Sequence, residues 1–260
     1  MATYKGIDVS RHQGKIDWAK VKAAGVEFAM IRSSYGYGDP NQIDTRLADN
    51  IAGCEENGIP YGFYHYSYAT TVEGARQEAL FCMDAIKGAK PSMPVVFDIE
   101  DQSQANLGRE LLTDMCLAFC ETLEEHGYYA AIYANLDWVR NRLDMSRLSH
   151  IDLWLAQWAT VPSYTGTIGM WQYSAKGKVN GIAGDVDMNI AYRNYPELIK
   201  TAGLNGWGLP EDKEPGEPNT DLNALRKEFN ALKMEYNTLK GKHDALISGL
   251  EALRDKYQEG

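Results

Sequence analysis

The sequence has no run of about 18 apolar residues, so no transmembrane helix and no membrane insertion are expected. Its first residues, Met1 to Asp8, lack the long apolar stretch of a cleavable signal peptide. Cysteine is scarce: Cys54, Cys82, Cys116 and Cys120 are the only four in 260 residues. None forms a C-x-x-C pair, and Cys116 and Cys120 stand four apart in a helical stretch. Buried thiols are therefore expected, rather than a disulfide framework or a metal site. A dense cluster of Lys and Arg is missing too, and the net charge is −10. An acidic chain repels phosphate backbones, which argues against nucleic acid as a partner.

Several catalytic signatures are also absent. There is no EF-hand loop, no H-E-x-x-H helix and no G-x-S-x-G elbow. His12, His65, His126, His150 and His243 are scattered along the chain. No metal, no cofactor and no serine or cysteine nucleophile is expected. His65, between Tyr64 and Tyr66, reads as structural. What the chain has is apolar residues, 44% against 24% charged. That is enough to bury a core, and it excludes a wholly disordered protein.

Composition divides the chain near residue 205. Residues 1–205 alternate strand-like and helical runs. Residues 206–220 are rich in Pro and charge, which is linker composition. Residues 221–260 carry a heptad repeat. Its a positions are Leu222, Phe229, Tyr236, His243, Leu250 and Tyr257, and its d positions are Leu225, Leu232, Leu239, Leu246 and Leu253. Glu228 and Glu235 at g face Lys233 and Lys240 at e, the charge pattern of a parallel assembly. A C-terminal coiled-coil helix that makes a homo-oligomer is expected, with strand number open because the a positions are not β-branched.

In the first part, strands are predicted at Lys5–Val9, Phe28–Ser33, Tyr61–Tyr66, Pro94–Glu100, Tyr128–Tyr133, Leu153–Gln157, Gly169–Tyr173 and Val186–Ile190. Helices are predicted at about 16–24, 44–57, 73–88, 107–126 and 136–143. Strands alternating with helices argue for βαβ units and a parallel sheet. Only the first five strands have a helix after them. The pattern predicts an α/β fold, an irregular TIM-like (β/α)5(β)3 barrel, followed by the coiled-coil helix.

Acids mark the strand ends: Asp8, then Asp98 and Glu100 in VVFDIE, then Asp185 and Asp187 in GDVDMN. Residues i and i+2 of a strand share a face, so Asp98 and Glu100 point the same way. In a barrel, the C-terminal strand ends surround one cup. Crowded carboxylates push at least one pKa upward, and a protonated acid beside ionised partners suits glycoside hydrolysis. Sixteen Tyr and six Trp supply flat faces with polar handles. Tyr66, Tyr133, Trp171 and Trp158 are candidates for a sugar-binding groove, with Tyr64 and Gln172 beside them.

The chain from about Tyr4 to Tyr195 resembles the family-25 glycoside hydrolases, the Chalaropsis-type lysozymes. The motifs that carry the resemblance are GIDVSRHQGKIDW, IPYGFYHY, VVFDIE, LWLAQW, WQYS and VDMN, in that order. The resemblance implies cleavage of the β-1,4 bond between N-acetylmuramic acid and N-acetylglucosamine of bacterial peptidoglycan, with retention. It implies Glu100 as general acid and Asp98 as its partner carboxylate, with Asp8 and Asp187 as two further acids of the cleft. The run FAMIRSSYG departs from the Lys-Ala-Thr-like run of many relatives, and puts Arg32 in the place of that lysine. Without a leader, a phage or prophage endolysin is expected, held in the host bacterial cytoplasm until lysis and then acting on the cell wall. Two other readings compete: a non-catalytic glycan-binding module, and a phage structural protein assembled through its coiled coil.

Overall fold

The computed structural model describes residues 2–208. Most of the Pro-rich segment and the whole heptad region lie outside the described residues.

Eight strands close into a barrel in chain order: β1 (Tyr4–Val9), β2 (Phe28–Tyr35), β3 (Tyr61–Tyr66), β4 (Val95–Asp98), β5 (Ala130–Asn135), β6 (Asp152–Ala156), β7 (Met170–Gly177) and β8 (Val186–Ala191). Strands β1 to β7 are parallel neighbours. The last strand departs from the expected parallel sheet. β8 runs antiparallel to both β7 and β1. The physical reason is the connection: the segment between Gly177 and Val186 is shorter than the dozen or so residues a parallel crossover needs, whereas the longer one between Ala156 and Met170 suffices.

The helices α1 (Trp18–Ala23), α2 (Leu47–Glu56), α3 (Val72–Ala85) and α4 (Arg109–Glu125) cover the first four strands. Their starts are chemically marked. Asp17 accepts a hydrogen bond from the Lys20 amide (3.2 Å), and Thr71 accepts one from Gly74 (3.0 Å). After β5, the helix expected at 136–143 is present but short, its first residues running into a five-residue π-helix, Trp138–Arg142. A further helix, α5 (Tyr195–Ala202), was not expected from the sequence. Asn194 caps its start, Pro196 sits in its first turn and Gly203 ends it at φ +68°.

Period-two alternation sorts the core into two layers. Val95 and Phe97 point outward, toward Leu112, Met115, Cys116, Phe119, Cys120 and Leu123 of α4. Val96 points inward, with Phe28, Met30, Ala131, Trp154 and Met170. All four cysteines are buried free thiols, as their helix spacing suggested. The interior is filled from below by Phe28. Gly6 faces that ring, and a Cβ there would lie 2.4 Å from it, so the position takes no side chain. Leu204 and Trp207 finish the described chain at the lower end, where the Trp207 indole donates to the Pro91 carbonyl (3.0 Å). No described helix is long and apolar enough to cross a membrane.

Candidate active site

Four acids meet at the upper rim. Asp8 stands near the end of β1 and Asp98 ends β4, with Glu100 two residues further on. Asp187 is the second residue of β8. Because β8 is reversed, its beginning lies at the rim where the other strands end. Asp187 is there the register partner of Asp8. Asp185, two residues earlier, is not part of the cup. It is exposed and pairs with Lys178 at 2.7 Å.

Asp8 and Asp98 are buried, and Glu100 and Asp187 are partly open. Burial and the Asp187 charge push the Asp8 carboxyl up to about 8. A hydrogen bond links the carboxyls of Asp8 and Asp187. Two carboxyls can share such a bond only if one keeps its proton, and Asp8 is the better protected. Asp98 is pushed well above the usual carboxylate range by burial, by Glu100 and by Asp8, against the pull of Arg32. Its Oδ1 is buried with no hydrogen-bond partner among the described residues. Glu100 is also raised, by burial first and then by Asp187 and Asp101. The cup is thus a proton store whose members cannot all ionise together.

Two amides hold Asp8. Gln172 Nε2 donates to Asp8 Oδ2 at 3.0 Å, and Asn189 Nδ2 donates to the same oxygen at 2.8 Å. Each amide is oriented from behind. Tyr133 OH (3.2 Å) and Trp158 Nε1 (3.1 Å) donate to Gln172 Oε1, and Trp154 Nε1 donates to Asn189 Oδ1 (2.8 Å). These donors fix which end of each amide faces the carboxyl. Tyr64 lines the floor, edge-on to Trp154 with ring centroids 6.0 Å apart. Burial, then the Asp8 charge, pushes its hydroxyl up.

Aromatic side chains stand on two sides of the cup. Tyr66 donates to Asp101 Oδ2 (3.1 Å) and packs edge-on against Tyr68, which in turn meets Tyr35. Across from them Trp158 is 67% exposed. Trp171 is elsewhere. It follows inward-facing Met170 and precedes inward-facing Gln172, so alternation turns it outward, where its indole donates to the Gln157 carbonyl (2.8 Å). The sequence reading paired Trp171 with Gln172, and a strand cannot send neighbours to the same face.

Several residues were not singled out from sequence. Asn189 and Trp154 are two of them. Asp44 is another: it accepts from Arg32 Nε (2.8 Å) and pairs with Arg32 Nη2 (2.8 Å). Only the position of Asp44 at the start of a helical run was visible beforehand. His65 is buried on the outer side, against Ser34 Oγ (2.9 Å) and Glu78 (3.6 Å), away from the cup. Among the described residues no group of three or more His, Cys, Asp or Glu is arranged to hold a metal ion.

This closed α/β barrel, with a carboxylate cup between aromatic walls, has the build of a carbohydrate-processing domain. The chain belongs to the glycosyl hydrolases family 25, whose family model matches residues 7–182. Lysozyme M1 of Streptomyces globisporus is 32% identical over 200 residues, covering 71% of this chain and 66% of that protein. The chain therefore spans about two thirds of that relative's length. The crystal structure of the CTP1L endolysin superposes with a TM-score of 0.68 at 28% identity, over 76% of this chain and 69% of that one. The modular autolysin LytC of Streptococcus pneumoniae, solved with a synthetic peptidoglycan ligand, gives 0.66 at 26% identity, over 73% and 47%.

Proposed function

We propose that the barrel is an N-acetylmuramidase that cuts the β-1,4 bond between N-acetylmuramic acid and N-acetylglucosamine of bacterial peptidoglycan. The observation that carries this reading is the gathering of Asp8, Asp98, Glu100 and Asp187 at one rim, where burial and mutual repulsion raise their affinities for protons. Glu100 is the general acid. Burial, then the charges of Asp187 and Asp101, strengthen its hold on a proton, yet it is open enough to deliver that proton to a glycosidic oxygen. Asp98 lies deeper, and its unpartnered Oδ1 is available to the positive charge that grows at the anomeric carbon or to the substrate's N-acetyl group. Asp98 can carry the negative charge this needs while Glu100 still holds its proton and Asp8 is neutral, because the Glu100 and Asp8 charges that oppose its ionisation are then absent. The Asp8–Asp187 hydrogen bond keeps Asp8 neutral. Retention is the stereochemical outcome proposed. Tyr66, Tyr133, Tyr64, Trp158 and Gln172 shape the sugar path.

The experiment digests purified peptidoglycan with wild type and Glu100→Gln, then reduces the products with borohydride and identifies the ends by mass spectrometry. Reduced muramic acid from wild type and none from the variant is the expected result. Reduced glucosamine would make the protein a glucosaminidase, and no new ends on several wall types would sink the enzyme reading.

The likeness to the CTP1L endolysin supports a lytic role at the wall after release from the host cytoplasm. Residues 221–260, outside the described residues, are proposed from their heptads to join copies of the chain. Two linked cups on one polymer would gain avidity. Sedimentation of the full chain against one ending at residue 208 tests this.

A further inference from the structure

We infer that Arg11 forms an anion-receiving subsite beside the cup, which reads a carboxylate on the substituent of the muramic sugar. The inference rests on the muramidase reading and adds a substrate preference to it. Arg11 opens the short turn that Ser10 caps after β1, three residues after Asp8. Its backbone amide donates to Asp44 Oδ2 (3.0 Å), the oxygen that also binds Arg32. Its guanidinium lies over the Tyr35 ring, 5.4 Å from the centroid, and Nη1 donates to the Tyr35 hydroxyl (3.3 Å). The Arg32 guanidinium lies 5.6 Å from the same centroid. Tyr35 thus stands between two cations.

The two cations differ in their neutralisation. The carboxylate of Asp44 answers Arg32, with both partners' side chains nearly buried. No carboxylate among the described residues pairs with the exposed Arg11 guanidinium. An oriented, uncompensated cation therefore sits on the rim of an otherwise acidic cup, continuous with the aromatic wall of Tyr35, Tyr68 and Tyr66. Muramic acid differs from its neighbour sugar by a lactyl ether, which carries a carboxylate when free and a peptide with carboxylates when substituted. The ionised members of the cup repel such a group, and Arg11 answers that repulsion with a planar fork suited to a carboxylate.

The test uses the full chain and three soluble glycans: peptidoglycan fragments with intact stem peptides, the same fragments stripped by an amidase to free lactyl carboxylates, and stripped fragments whose lactyl carboxyls are converted to methylamides. Wild type, Arg11→Gln and Arg11→Lys are compared. Arg11→Gln is expected to raise KM roughly tenfold on an anionic glycan, with kcat changed by less than about twofold. Arg11→Lys should recover part of the loss, and on the neutral methylamide the three proteins should be alike. A defect on intact fragments alone assigns the stem peptide as the source of the anion, and a defect on stripped fragments as well assigns the lactyl carboxylate. Equal KM for wild type and Arg11→Gln on every glycan, or an equal defect on the neutral one, overturns the inference. Failure of the muramidase reading is distinct: wild type itself would then release no muramic ends from any of the three.

Discussion

Two aspartates at opposite ends of the barrel show how one residue type serves two purposes. Asp152, at the lower end, is fully answered. Its Oδ2 accepts from Tyr129 OH (2.7 Å) and Tyr195 OH (3.1 Å), and its Oδ1 pairs with Arg193 (3.0 Å). Asp8, at the upper end, receives two neutral amides and faces another acid. The lower carboxylate has a cation and two phenols, and it ties α5 to the sheet. The upper one has no cation of its own, and Arg32 nearby is taken by Asp44. In a barrel the lower rim serves stability and the upper rim chemistry, and here the difference is visible in what each carboxylate is given as a partner.

The largest effect expected from breaking this contrast is at the upper rim. Glu100→Gln should lower kcat by about 10²–10⁴-fold, the usual contribution of a general acid, with an unchanged circular dichroism spectrum. At the lower rim, Asp152→Ala should leave turnover per folded molecule intact. It should cost about 2–4 kcal/mol of stability, because the buried Tyr195, the half-buried Tyr129 and Arg193 lose their acceptor. A thermal melt would then fall by roughly 2–4 °C for each kcal/mol.

Asp8→Asn sharpens the comparison through pH. The folded-state pKa of Asp8 is raised from 3.8 to about 8. The stabilisation that goes with its proton is fully present below the unfolded value and is lost as pH rises toward the folded one. Asparagine mimics the protonated acid: its oxygen can accept from Gln172 and Asn189 while its amide donates to Asp187. The melting temperature of Asp8→Asn should therefore match wild type near pH 4 and exceed it increasingly up to about pH 8. A constant difference across that range would contradict the proton assignment. The smallest effect belongs to Asp185→Ala. The acid is exposed and, among the described residues, pairs with Lys178 alone, so neither melting temperature nor activity should change measurably.

Much of the cup was legible because strand geometry is local. VVFDIE sends Asp98 and Glu100 to one face by alternation alone, and the structure brings their carboxyls into electrostatic contact. The same rule, applied to WQYS, would have separated Trp171 from Gln172. α5 was missed although its signals are local, since Asn194, Pro196 and Gly203 mark its start and end. The direction of β8 was not legible, because it depends on how the last hairpin meets β1 rather than on any pattern within VDMN. Nor were Arg32–Asp44 and Trp154–Asn189, which join residues whose neighbours in sequence say nothing of each other.

The seam between β1 and β8 has a consequence for synthesis. The bonds from Gln172 and Asn189 to Asp8 span 164 and 181 positions, and Asp187 reaches its partner only when the last strand closes the ring. Contacts of such separation form late, after the entropy of the long loop has been overcome. A chain still emerging from the ribosome carries Asp98 and Glu100 for many residues before Asp8 has anything to hold it. Catalytic competence is thereby tied to completion of the barrel, and a prematurely terminated product lacking β8 would be left with an open sheet edge and half a cup.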